Sequence, residues 1–271
     1  MKRVHQLFAL AAVVGTVCVA AGTAHATHAW ANYHWARTAN PFTVKLGDNV
    51  SSAWDSHLAR AATDWSATSG SCINPSNPVR AVVVPGSVNN VKRCAPLRGT
   101  VQVCNSSYGN NGWLGIASIW INGDHITQGT VKLNDYYFNQ AQYNTPGWRA
   151  LVCEQEVGHC FGLAHQDENF SNADLLDACG KGSCMDYSSD PTNQSTPNQH
   201  DYDELVLIYN HLDSFTTLAA GLPLIASEAD IDTENPRERG RAIGFANGRA
   251  NVFERDLGNG RKVLTVVFWA Q

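Results

Sequence analysis

The stretch from Cys153 to Asp167, CEQEVGHCFGLAHQD, constrains this chain more than any other part of it. Read as a helix, it sets Gln155 and His159 four residues apart on one face, one turn above the other, with Glu156 alongside. Gly162 can take the left-handed backbone that ends a helix and turns the chain back. His165, three residues further on, then returns toward the same point in space. Three polar side chains and an acid can converge there, which is the spacing of a metal site.

In order, Gln155, Glu156, His159, Gly162 and His165 keep the register of the extended zinc-protease pattern H-E-x-x-H-x-x-G-x-x-H, with Gln at the first His position. Further on, Ser183-Cys184-Met185-Asp186-Tyr187 stands at a distance suited to the tight methionine turn beneath the metal in such proteins. On these residues the chain resembles the metzincin zinc metalloproteases, nearest a matrixin-like secreted subgroup with Gln in place of the first motif His. The resemblance spans about Trp35 to Leu212.

The resemblance implies an α+β, zincin-like catalytic domain: a twisted, mostly parallel sheet with an antiparallel edge strand, a backing helix, an active-site helix and a closing helix. It implies one catalytic zinc held by Gln155 through its amide oxygen, by His159 and by His165, with Glu156 as the general base. Tyr187 is expected to bind the metal or donate to the oxyanion, and Gly162 and Met185 to shape the turns. Gly115, Ile116, Ala117 and Ser118 are expected to line the cleft and pair with an extended polypeptide substrate by strand addition. Structural calcium is common in such proteases, and no loop here matches a known calcium pattern.

The expected activity is that of a secreted metalloendopeptidase. An amide oxygen is a poorer zinc ligand than imidazole, so a metzincin-fold binding protein with a degenerate metal site is the competing expectation. Asp167 competes with Gln155 as the third ligand.

The ends of the chain bear on compartment. Lys2 and Arg3, the apolar run from Leu7 to Ala21 and Ala24-His25-Ala26 read as a secretory signal peptide over residues 1–26. The net charge is −5, and loss of Lys2 and Arg3 makes the mature chain more negative still, so nucleic acid is not an expected partner. No membrane span is expected, and a monomer is. Past the signal, seven cysteines remain: Cys72, Cys94, Cys104, Cys153, Cys160, Cys179 and Cys184. Export favours pairing, and an odd count leaves one thiol over. Cys94 and Cys104 flank a turn and can be bridged, and Cys179 can pair with Cys184 or reach Cys153 or Cys160. Cys153 and Cys160 lie two turns apart on one helix, beyond disulfide reach.

Residues 27–213 are read as the catalytic domain and 214–271 as a β-rich C-terminal extension. Trp54, Leu58, Ala61, Ala62 and Trp65 mark one face of a helix. Thr145-Pro146 supplies an N-cap and first residue for the helix that carries Gln155 and His159. Strands are expected over 41–46, 79–84, 100–104, 113–121 and 130–134, with a closing helix over 201–212. His125 is placed in a turn over 122–129 and read as solvated. In the extension, residues 251–257 and 262–269 read as a hairpin about Gly258-Asn259-Gly260.

Overall fold

A computed structural model describes residues 27–170, 172–219 and 231–271; the expected signal peptide over 1–26 lies outside them. In chain order the elements are β1 (His34–Trp35), β2 (Phe42–Asn49), α1 (Asp55–Trp65), β3 (Val79–Pro85), β4 (Thr100–Ser106), β5 (Trp113–Asn122) and β6 (His125–Asn134). There follow α2 (Asp135–Phe138), α3 (Pro146–His159), α4 (Gln199–Ile208), β7 (Arg241–Ala246), β8 (Arg249–Gly258) and β9 (Arg261–Trp269).

The strands form one mixed sheet in the order β3-β2-β4-β6-β5-β9-β8-β7, with β1 beside the start of β6. β2, β3, β4 and β6 run parallel. From β5 onward every pairing is antiparallel. α1 packs on β2 and β3, α3 packs on β5 and β6, and the two helices lie against each other, as the sequence pattern explains. Leu58, Ala61, Ala62 and Trp65 form the buried stripe of α1, and the Trp65 indole donates to the Glu154 carbonyl of α3 at 3.0 Å. α3 starts where its cap residues put it: the Thr145 hydroxyl accepts from the Trp148 N–H, and Pro146 occupies the first turn.

The structure departs from the sequence reading at several elements. β6 begins at His125, so the turn is only Gly123 and Asp124. Thr127, Gln128 and Thr130 are polar yet buried, and their polarity imitates a loop. α4 stops at Ile208, leaving Leu212 exposed. β5 is not an edge strand, because β9 pairs along its outer side from Trp113 to Asn122. The C-terminal residues are thus continuous with the sheet that carries the rest of the chain.

Cys94 and Cys104 are bridged, while Cys179 pairs with Cys72 rather than with Cys184, Cys153 or Cys160. Those last three are free and buried, so three thiols are left over instead of one. Each sits in apolar surroundings, and burial pushes all three thiols well up from their ordinary range. No helix among the described residues is long and apolar enough to cross a membrane.

The two bridges close loops of very different size, 107 and 10 residues apart in sequence. On the chain-entropy account, losing the first costs about 5 kcal/mol and losing the second about 3 kcal/mol. Cys72→Ser with Cys179→Ser is therefore expected to lower the urea midpoint more than Cys94→Ser with Cys104→Ser. The reverse order in equilibrium unfolding would mean that the long loop is already restricted in the unfolded chain.

Candidate metal centre

The end of α3 and the turn after it bring two imidazoles face to face. Gly162, at φ +99°, lets the chain reverse after His159, and a side chain at this position would strike the Tyr33 carbonyl. His165 then returns so that its Nε2 lies 3.0 Å from the Nε2 of His159. Both rings are oriented from behind. His159 Nδ1 is 2.8 Å from the Leu163 carbonyl, and His165 Nδ1 is 2.7 Å from Glu168 Oε1. Each acceptor takes the Nδ1 proton, which leaves the two Nε2 lone pairs aimed at each other. Two bare lone pairs at that separation repel unless a proton or a metal cation lies between them. A tetrahedral ion with bonds of about 2.0–2.1 Å sets neighbouring donor atoms roughly 3.3 Å apart, so the spacing fits one. Imidazole bound to a metal usually donates its other N–H to a carbonyl or carboxylate, as both rings do here.

Gln155 stands one turn before His159. Its amide Nε2 donates to the Cys184 carbonyl at 2.7 Å, while its Oε1 is buried without a partner. The hydrogen bond thus assigns the amide nitrogen to the chain and leaves the oxygen free to serve as a ligand. Glu156 is 0% exposed, and neither of its oxygens finds a partner of ordinary hydrogen-bond geometry. Burial pushes its carboxyl well above the usual range, opposed only by the nearby Ala117 backbone. Burial and the facing His165 push His159 well below its usual value, which keeps it neutral and able to ligate. Asp167 is turned to other work: its carboxylate accepts from the Asn169 backbone and the Asn172 side chain.

Beneath the histidines, Met185 is fully buried, with its N–H given to the Ser183 hydroxyl at 2.8 Å and its carbonyl accepting from Gln166 at 2.7 Å. Its sulfur lies against Gly158, where a Cβ would come within 2.7 Å of it and 2.6 Å of the Trp65 ring. Tyr187 forms a cluster of near-parallel rings with Phe170 and Phe268 and packs on His165, its ring 4.4 Å away. Its hydroxyl accepts from Asn251 Nδ2 at 3.3 Å, and the same amide donates to Glu168 Oε1 at 2.9 Å.

The centre is closed. His159 is 1% and His165 8% exposed. Trp30, Ala117, Ile119, His159, Leu264 and Val266 surround a crevice with no volume for a water molecule. Gly115 lies against Glu156 and the Ala117 backbone is near its carboxyl, but the backbone of Gly115, Ile116, Ala117 and Ser118 pairs with Phe268, Val267, Val266 and Thr265 of β9. No further strand can add there in this conformation.

Sequence reasoning missed Glu168, Asn251 and Trp30. An acid three residues after His165 is a readable hint of the carboxylate behind a ligating ring. Asn251 and Trp30 carry no such signal, since each reaches the centre only through the path of a distant segment.

No family model matches the sequence, and no characterised protein does either. Among solved structures, myroilysin aligns with 68% of this chain and 98% of its own, at 12% identity and a TM-score of 0.37. That likeness is too loose to assign an activity.

Gly158→Ala tests the packing under the centre. A helix-interior alanine ordinarily stabilises by roughly 1 kcal/mol relative to glycine. Here the added methyl overlaps Trp65 and Met185, so the expected outcome is a net loss of about 1–3 kcal/mol. A melting temperature equal to or above that of the unmodified chain would show that Met185 is not seated against α3.

Proposed function

We propose that this chain is a zinc-dependent endopeptidase of the metzincin type, held latent by its own C-terminal hairpin. The observation that carries the reading is the pair of imidazole Nε2 atoms 3.0 Å apart, one turn from a buried carboxyl group without a hydrogen-bond partner. A structural core has no use for that combination, whereas metal-assisted hydrolysis needs it.

His159, His165 and the Gln155 oxygen would hold the ion. Zinc in such a site supplies Lewis acidity, polarising a peptide carbonyl and acidifying water. Leu163 and Glu168 keep both rings in the ligating tautomer. Glu156 takes the proton from the attacking water and delivers it to the leaving amine. Tyr187, with its hydroxyl held by Asn251, stands where it can donate to the developing oxyanion. Gly115 to Ser118 bind the substrate backbone once β9 has left.

Latency follows from the pairing of β9. It runs antiparallel to β5 over the length that an extended peptide would use, and sets Leu264 and Val266 in the crevice beside His159. Two disulfides and a candidate secretory signal support action outside the cell. The competing reading, a non-enzymatic binding protein on the same scaffold, draws on this burial, since a site without water performs no hydrolysis.

The two readings part when β9 is freed. The turn at Asn259 and Gly260 is exposed, so a specific cleavage site introduced there separates residues 261–271 from the hairpin. The intact chain with zinc is expected to leave an unstructured protein intact, and the nicked chain to cleave it. Nicked Glu156→Gln should lose activity by about 10²–10⁴-fold while still binding zinc. Excess peptide of sequence 261–271 should restore inhibition. A nicked chain that binds zinc yet cleaves nothing, in either the presence or absence of added peptide, would favour the binding protein.

A further inference from the structure

A second set of imidazoles converges on the far side of β6, and it does not depend on the reading of the α3 centre. His34 in β1, His125 at the start of β6, and His211 and Asp213 beyond α4 come from three separate parts of the chain. The donor atoms of His34, His211 and Asp213 all lie within 4.8 Å of one another. His34 Nε2 is 3.1 Å from His211 Nε2 and 3.4 Å from Asp213 Oδ1, and His125 Nε2 is 3.2 Å from that same oxygen. The His34–His211 and His34–Asp213 separations are of the size that a tetrahedral ion of about 2.0–2.1 Å bond length imposes on its donors, while His125 touches the same Asp213 oxygen from outside that set.

The surroundings bias the donors toward a cation. His34 Nδ1 is 2.6 Å from the Asn32 carbonyl, which holds the ring with its Nε2 toward Asp213. That nitrogen meets the carboxylate oxygen favourably with either a proton or a metal cation between them. The other oxygen of Asp213 is taken by Arg37, through the backbone N–H at 3.1 Å and Nη1 at 3.2 Å. Arg37 also donates to the His211 carbonyl, so a single buried guanidinium sets the position of both residues. An open cavity of about 470 Å³, lined in part by Asn32, His34, Asp124 and His211, gives an ion a way in.

We propose that His34, His211 and Asp213 form a zinc site that ties β1 to the chain after α4, with His125 at the start of β6 holding the Asp213 carboxylate. Two imidazoles and a carboxylate suit zinc, with the fourth position left to water from the adjoining cavity. The consequence is mechanical. β1 is two residues long, and four residues before it Trp30 lies against His159 and His165. A staple at His34 holds that segment in place.

The experiment uses the purified exported chain, stripped with chelator and titrated with zinc chloride. His211 is exposed and His125 partly so, which makes His125→Ala and His211→Ala variants that retain the fold, as checked by circular dichroism. Equilibrium dialysis with elemental analysis is expected to find one zinc fewer per chain in the double variant, with His211→Ala alone binding that ion more than about 100-fold more weakly and His125→Ala alone within the roughly 10–100-fold cost of an outer-shell change. His159→Gln, which disrupts the other centre, should leave this equivalent in place. Zinc should raise the melting temperature of His159→Gln and fail to raise that of His159→Gln carrying His125→Ala and His211→Ala. Equal zinc stoichiometry and affinity with and without His125 and His211 would overturn the proposal and reduce the cluster to a network of protons.

Discussion

Everything around α3 depends on two imidazole nitrogens held 3.0 Å apart, a spacing that only a proton or a metal cation between them satisfies. That arrangement is costly on its own, and several features of the chain conspire to maintain it. Gly162 makes the reversal, the Leu163 carbonyl and the Glu168 carboxylate hold the rings, and Gln155 is pinned through its amide nitrogen so that its oxygen stays unpaired. A core selected only for stability would place apolar groups here, since unpaired buried polar atoms cost on the order of 1–3 kcal/mol each. Their accumulation in one place is what marks the site.

The substitution of Gln for the first histidine changes less than it would if the amide were loose. An amide offers one donor end and one acceptor end, and the Cys184 carbonyl in the methionine turn selects which end faces inward. The same turn seats Met185 under Gly158, so the Gln155 amide on the helix and the floor beneath it are aligned by one short segment. A weaker donor is thereby given a fixed direction, and fixed direction recovers part of what an imidazole would contribute through basicity.

Legibility followed the range of the interaction. The caps of α3, the buried stripe of α1 and the convergence of His159 with His165 are written in residues a few positions apart, and local spacing was enough to find them. What the sequence did not disclose is what arrives from far away. An apolar run such as β5 reads the same whether one or both of its backbone edges are paired, so the presence of β9 was invisible. His125 looked like a solvated loop residue because its partners, His34, His211 and Asp213, are about 90 residues distant on either side. Cys179 was offered near partners and took a remote one, Cys72, because disulfide geometry is decided by the folded path rather than by spacing.

The pairing of β5 with β9 also bears on what the chain can tolerate in solution. β5 is buried along nearly its whole length, and without β9 it would present a long apolar border with unmet backbone groups to any passing strand. Such borders template intermolecular association, which folded proteins avoid by covering, charging or shortening them. A freed form would therefore be short-lived as a soluble monomer. It would be stabilised by whatever polypeptide it grips and prone to self-association in crowded, peptide-poor surroundings, so release of the hairpin would best coincide with delivery to an abundant protein target.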